Sequence, residues 1–337
     1  MILEKPPTFP TPALLKNSAL AGMSMLLSRV TRKQVLLGMP VMLMVEPGTA
    51  CQLRCPHCPT GRGDLSRQAG RLSFDNFRKI WDTIKPAPVR LQLWNQGEPL
   101  TNPDTPKIIR YAARSGSWVV MATNVELLAK KELAEEIVAS GLYEVVLSLD
   151  GASDNSHIAY REGGDFSKVE TGIRNLVEAK KRLKLKYPLL TWQFIMFRHN
   201  LHEMTKAKQL AKKWGVDRIQ FKTAQLEDLS KDEGEKWLPD SPKLRRYKFN
   251  GDNWLLKRRE RFFCDRLFST AVILWDGTVV PCCFDKDGSY PMGNALENTF
   301  PEVWHSKDYH KFRSEWIKGN RPEMCDNCTE GLRGLYF

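Results

Sequence analysis

The chain has 337 residues, 42% hydrophobic and 27% charged, enough apolar material for one large core or two. A formal net charge of +12 favours anionic partners, and with no apolar run reaching ~18 residues a clean membrane-spanning helix is excluded. Eight cysteines are even enough for disulfides, but the N-terminal stretch lacks the pattern of a secretory signal, so a cytoplasmic protein using clustered thiols for metal binding or catalysis is expected.

Residues 1–40 read as a helical extension. Within it, residues 13–30 are largely apolar with basic flanks at Arg29, Arg32 and Lys33. Packing on the domain is expected, with a weak membrane-surface contact as the alternative. Strand and helix patterns then alternate. "VMLMVEP" (41–47) predicts a strand, "SFDNFRKIWDTI" (73–84) a helix capped by Ser73, "RLQLWNQ" (90–96) a strand and "DTPKIIRYAARSG" (104–116) a helix. The alternation continues with strands at 118–124, 144–150, 189–197 and 217–224, and helices at 130–141, 166–183 and 201–215. Six strands joined by helical crossovers imply an α/β fold with parallel pairing, as a partial barrel or an open sheet. Chemistry in such folds sits at the C-terminal ends of the strands. "CQLRCPHC" (51–58), "NQGEP" (95–99), "ATN" (122–124) and "SLDG" (148–151) all fall at such ends.

The pattern changes near residue 225. Residues 226–254 are polar and rich in turn formers, and read as a linker. Residues 255–337 carry the other five cysteines, the short strand-like run "TAVILWDGTVVPCCF" (270–284) and a helix near 300–318. This segment is too short for a large core of its own, so bound metal is expected to stabilise it. The basic run at 180–186 reads as the solvated end of a helix. The stretch 243–266 interleaves basic residues with Tyr247, Phe249, Trp254, Phe262 and Phe263, and reads as core at a domain junction.

Cys51, Cys55 and Cys58 are spaced C-x3-C-x2-C. Soft thiolates at this density suit zinc or an iron–sulfur cluster. Structural zinc takes four ligands, and no fourth lies nearby in sequence, although a distant histidine would complete the set. A cubane held by three thiolates leaves one iron free for a small ligand.

Placed after a first strand, this spacing resembles the signature of the radical S-adenosylmethionine (radical SAM) superfamily. "NQGEP" is similar to that family's Gly-Gly-Glu-Pro segment, and "SLDG" followed by "YREGGDFSKV" (160–169) to the fourth-strand region of members with a C-terminal SPASM or twitch extension. The resemblance covers roughly residues 41–337 and implies a partial (β/α)6 TIM-like barrel at 41–225 followed by a small iron–sulfur domain at 255–337. It also implies that Cys51, Cys55 and Cys58 hold a 4Fe-4S cluster whose open iron binds SAM. Reductive cleavage of SAM would then give a 5'-deoxyadenosyl radical able to take hydrogen from an unactivated C–H. His57, Gly97, Glu98, Pro99, Asn124, Ser148 and Asp150 are the cofactor-binding residues the resemblance implies. Three positions depart from the family pattern: His57 replaces an aromatic residue, Gln96 the first glycine of the motif, and Val125 a frequent glycine, so a different turn after the third strand is expected.

Cys264, Gly277 and Cys282 are similar to the front half of a SPASM pattern, and Cys325 and Cys328 add two thiols. The resemblance implies one fully ligated auxiliary 4Fe-4S cluster on Cys264, Cys282, Cys325 and Cys328, suited to electron transfer or structure. Zinc on the same four residues is the alternative. Cys283 has three readings: a small buried hydrophobe, a spare ligand, or a hydrogen donor to a substrate radical. Arg161 is a candidate contact for a cofactor or substrate anion. The expected enzyme acts on a small-molecule, lipid or sugar-like substrate by oxidation or epimerisation. A peptide-modifying maturase is the first alternative, and a zinc-binding scaffold without activity the second. Expected partners are an anionic substrate and a flavodoxin- or ferredoxin-type reductant, with no nucleic acid.

Overall fold

The computed structural model describes residues 6, 11–257 and 263–329. The chain opens with α1 (Pro12–Thr31), capped by the Thr11 hydroxyl. It continues through β1 (Met42–Val45), α2 (Pro59–Arg62), α3 (Phe74–Trp81), β2 (Arg90–Leu93), α4 (Thr105–Arg114), β3 (Trp118–Thr123) and α5 (Lys131–Val138). Next come β4 (Glu144–Ser148), α6 (Asp154–Ile158), α7 (Phe166–Arg182), β5 (Leu189–Met196), α8 (Met204–Trp214) and β6 (Arg218–Thr223). The stretch expected to be a linker holds α9 (Lys231–Trp237) and a hairpin of β7 (Tyr247–Phe249) and β8 (Trp254–Leu256). The C-terminal part is α10 (Arg266–Ser269), β9 (Thr270–Ile273), β10 (Thr278–Val280), β11 (Gly293–Asn294), α11 (Phe300–Trp304) and α12 (Lys307–Lys318).

Strands β1 to β6 pair in sequence order, all parallel, which is the partial (β/α)6 barrel. The sheet extends past β1, because β9 joins β1 in parallel and β10 and β11 follow antiparallel. One row of side chains makes the continuity concrete. Ile273, Val45, Leu93, Met121, Val145 and Leu190 are register neighbours across six strands, and all are buried. Burying each such side chain stabilises by roughly 1.5–3 kcal/mol. The divisions expected near 225 and 255 are therefore divisions of the chain, while the sheet runs through both parts.

The crossover helices form where the sequence pattern places them. Ser73 caps α3 by accepting from the Asn76 N–H at 3.2 Å, and Phe77, Ile80 and Trp81 turn their apolar stripe onto the sheet. Asp165 caps α7 through two backbone N–H groups. Gly172 lets α7 approach the loop after β3, since a Cβ there would lie 2.7 Å from the Val125 carbonyl oxygen. Gly234 of α9 does the same for the hairpin, where a Cβ would collide with the Trp254 indole.

Candidate active site

The loops after β1, β2, β3 and β4 meet at the C-terminal edge of the sheet, where parallel α/β folds place their chemistry. Gly97 sits where two of these loops cross. Its φ is +74°, and a Cβ would fall 2.4 Å from the Gly48 oxygen, so only glycine fits the crossing. The next residue ties three strand ends together. The Glu98 N–H donates to the Ala50 carbonyl at 2.7 Å. Its carboxylate accepts from the Thr123 hydroxyl at 2.7 Å, the Asn124 N–H at 2.8 Å and the Leu100 N–H at 3.1 Å. Pro99 begins the short turn (Pro99–Thr101) that this carboxylate caps. Burial raises the Glu98 pKa, and its oxygens are committed to fixing the site's wall.

Asn124 carries the tie onward to the cysteine loop. Its side-chain oxygen accepts from Gln52 at 3.0 Å, and its amide nitrogen stands 3.9 Å from the Cys51 sulfur. Val125 holds the left-handed conformation, φ +77°, that glycine adopts most easily. The turn after β3 thus keeps the glycine-like geometry despite the β-branched residue, which is fully buried and donates its N–H to the Thr123 hydroxyl at 3.0 Å.

For Arg161 a structural ion pair was the alternative to an anion contact, and the structure pairs it with Asp150. Two guanidinium nitrogens of Arg161 lie 2.7 Å from one Asp150 oxygen, and the other oxygen accepts from the Ile195 N–H at 2.8 Å. The third guanidinium nitrogen stands 3.9 Å from the Cys55 sulfur. Arg161 therefore brings positive charge against the cysteine loop while Asp150 holds it in place. Ser148, half-buried, closes β4 opposite Gln193.

The three thiols fit a cluster by their chemistry. Cys55 is buried, and Cys51 and Cys58 are half-buried. Burial pushes the Cys51 thiol up to about 11, with Glu98, Cys55 and Cys58 adding to the shift. Thiols that are costly to ionise alone and lie close together lose their protons readily to a metal. Cys51 also accepts from the Leu53 N–H at 3.4 Å, the kind of bond that supports a ligating sulfur. Among the described residues no three His, Cys, Asp or Glu side chains gather tightly enough to hold a single metal ion. His57 faces away from this set. Its Nδ1 accepts from the Glu227 N–H at 3.3 Å, its Nε2 stands 3.3 Å from Glu233, and its ring meets Trp237 edge-on. Burial lowers its pKa, so a neutral ring links the cysteine loop to α9.

At the far side, Cys264 is pushed up to about 11 by burial and by the nearby Cys328 and Cys325, while the Leu267 and Arg266 N–H groups favour its thiolate. Cys325 and Cys328 share one turn, closed by a 3.2 Å backbone bond. The adjacent Cys282 thiol and the Arg266 guanidinium, 3.4 Å from the Cys283 sulfur, pull the Cys283 pKa down, while Cys282 is pushed up. Cys283 packs against the apolar cluster of Met44, Val272, Leu274 and Val280 near β1, and Arg266 reaches both its sulfur and, through its N–H, Cys264. None of the eight cysteines is in a disulfide.

Two contributions carried no sequence signal. Glu46, buried at the end of β1, accepts from Arg67, Asn95 and the Gln96 N–H. Arg67 also donates to the Lys286 carbonyl at 2.7 Å, joining the barrel mouth to the C-terminal part. Between these parts lies a groove of about 840 Å³. Pro59 and Arg62, just after Cys58, form one wall, and Met324, Asp326 and Asn327, beside Cys325 and Cys328, form the other. The lining carries seven carboxylates against two cations, Arg62 and Lys286. The chain's overall positive charge had suggested an anionic substrate, and this groove is locally acidic.

Comparison with known proteins places the same residues in two families. Residues 45–201 match the radical SAM superfamily and residues 264–329 match SPASM, an iron-sulfur cluster-binding domain. The AdoMet-dependent heme synthase of Methanosarcina barkeri is 32% identical over 178 residues, 52% of this chain and 48% of its own length. The PqqA peptide cyclase of Streptomyces rochei is 24% identical over 314 residues, 87% of this chain and 82% of the relative. The match therefore spans about half of the synthase and most of the cyclase. In fold, the chain is similar to Streptococcus suis SuiB bound to S-adenosylmethionine, with a TM-score of 0.60 at 14% identity, covering 89% of this chain and 74% of that one.

Proposed function

The chain belongs to the radical SAM superfamily and carries a C-terminal SPASM iron–sulfur domain, and from that premise we propose that it modifies a peptide substrate held in the groove between its two thiol sets. The observation that carries this reading is the groove itself, walled on one side by the loop of Cys58 and on the other by the turn of Cys325 and Cys328. A peptide reading takes the place of the small-molecule one first expected. It is supported by the cyclase of Streptomyces rochei, whose match extends over both parts of the chain.

The cofactors are SAM, its 4Fe-4S cluster and an auxiliary 4Fe-4S cluster. When bound and reduced, SAM and its cluster supply a 5'-deoxyadenosyl radical that takes a hydrogen atom from a substrate C–H. Cys51, Cys55 and Cys58 would hold the first cluster, and Cys264, Cys282, Cys325 and Cys328 the second. Arg161, fixed by Asp150, places a cation beside Cys55, where it favours the thiolate. Gly97, Glu98, Pro99 and Asn124 keep the strand ends in register around the cofactor, with Ser148 at the end of β4, while His57 ties the cysteine loop to α9. The excess of carboxylates in the groove favours a peptide segment bearing lysine or arginine. Reduction by a flavodoxin- or ferredoxin-type protein and a cytoplasmic setting belong to the same proposal, the setting supported by cysteines that form no disulfide.

The test uses anaerobically purified protein, SAM, a chemical reductant and synthetic peptides encoded by short reading frames beside the gene. The expected result is peptide-dependent release of 5'-deoxyadenosine with loss of hydrogen from the peptide, abolished in Cys51→Ala, Cys55→Ala or Cys58→Ala. Release stimulated by a nucleotide sugar or a lipid and by no peptide would return the assignment to a small substrate.

A further inference from the structure

α1 is turned inside out relative to a helix on a water-soluble surface. Its buried face is Leu14, Asn17, Ala21, Ser24 and Ser28. The three polar side chains of that face are spent on the returning segment at 35–39. Asn17 exchanges two hydrogen bonds with the Met39 backbone, at 3.0 and 2.9 Å. Ser24 accepts from the Leu37 N–H at 2.9 Å, and Ser28 bonds both backbone groups of Val35. With Asn17, Ser24 and Ser28 facing inward, the helix presents an apolar stripe outward. Leu15, Met23, Leu26 and Val30 are 58%, 47%, 60% and 73% exposed, and their spacing places them on one face.

The rims of the stripe are basic. Lys16 and Arg29 flank it on opposite sides at 100° per residue, Arg32 and Lys33 follow its C-terminal end, and none of the helix's twenty residues is acidic. A groove of about 630 Å³ lies beside that end. Its charged lining is Arg29, Arg32, Lys318 and Arg321 against a single carboxylate, Asp265, with Trp316 in the wall. Asp265 holds Arg29 at 2.6 Å, and Arg29 also lies over the Phe263 ring, so the helix end is fastened to the segment on both sides of Cys264.

We propose that this face docks on the surface of an anionic phospholipid bilayer. The apolar stripe enters the boundary between headgroups and acyl chains, and the basic rims and groove meet the lipid phosphates. No helix among the described residues is long and apolar enough to cross a membrane, so the contact lies in the plane of the surface. A second copy of the chain fits less well, because pairing two such stripes would bring basic rims against basic rims with no carboxylate in either helix.

The test is co-sedimentation of the full-length protein with vesicles of phosphatidylcholine alone and vesicles with about one third phosphatidylglycerol. Binding to the anionic vesicles is expected to be at least ~10-fold tighter than to the neutral ones and to weaken with salt. Leu26→Glu with Val30→Glu removes binding to both. Arg32→Gln with Lys33→Gln lowers binding to the anionic vesicles several-fold only. All four positions are solvent-exposed, so circular dichroism and thermal unfolding stay unchanged. Equal binding to both vesicles, or none, overturns the proposal. So does a dimer, seen by light scattering, that becomes a monomer in the Leu26→Glu, Val30→Glu variant, because the face then belongs to a second copy.

Discussion

His157 shows what burial does to a single side chain near this site. The ring is fully buried against Phe166, and neither nitrogen has a hydrogen-bond partner among the described residues. Burial, and secondarily the nearby Arg161, lowers its pKa from 6.5 to about 4. The unfolded chain therefore binds this proton first. The stability tied to the neutral ring is complete above pH 6.5 and is lost as pH falls towards 4, by about 2 kcal/mol between pH 7 and pH 5. His157→Leu removes the titration without stranding a polar partner. Urea unfolding at pH 7 and pH 5 is expected to show a smaller drop in the variant than in the wild type, and equal drops would contradict the assignment. Nothing around position 157 in the sequence hints at this, because burial depends on helices α6 and α7 closing over the ring. Asp150 and Arg161 were visible as individual candidates, eleven positions apart. An ion pair was one reading of Arg161, but its partner was not legible, since a charged pair leaves no periodic trace.

Among elements, those with a strong repeating pattern were legible and those held by a few long contacts were not. The apolar spacing of Phe77, Ile80 and Trp81 declares α3, and the short apolar runs between helices declare the parallel strands. The region 226–254 shows no such period. Its order rests on separated anchors, chiefly Trp237, Tyr247 and Trp254, which are buried together with Leu53 and Cys55. The C-terminal helices depend on one buried cation. Arg313 of α12 donates to the Leu267 carbonyl at 2.8 Å and the Trp304 carbonyl at 3.0 Å, and its guanidinium stacks on Trp304 and Tyr309. Arg313→Ala leaves two carbonyls unpaired and opens a cavity, so a loss of about 3 kcal/mol is expected. The measurement is a lowered melting temperature together with faster amide exchange in α12. Unchanged exchange there would show that other contacts hold the helix.

At the scale of the molecule, the two thiol sets lie at opposite ends of the chain and belong to one continuous sheet. The pairing of β9 with β1 sets Ile273 beside Val45 and brings the C-terminal part to the barrel mouth, where Arg67 and Lys286 join the two. If each set holds a cubane, iron analysis of anaerobically purified protein should give about seven to eight irons per chain. Cys325→Ala and Cys51→Ala should each lose about half of that total. Full iron retention in Cys325→Ala would remove the auxiliary cluster from that turn.

The sequence alone determined the alternation of strand and helix and the family, because each is written in local spacing. Tertiary structure alone decided that Glu98 and Arg161 are committed to internal partners, that the groove is acidic in a basic chain, and that α1 turns its apolar side outward. Those outcomes depend on which groups meet across tens or hundreds of residues. Hydrogen bonding and burial settle them only once the sheet has formed.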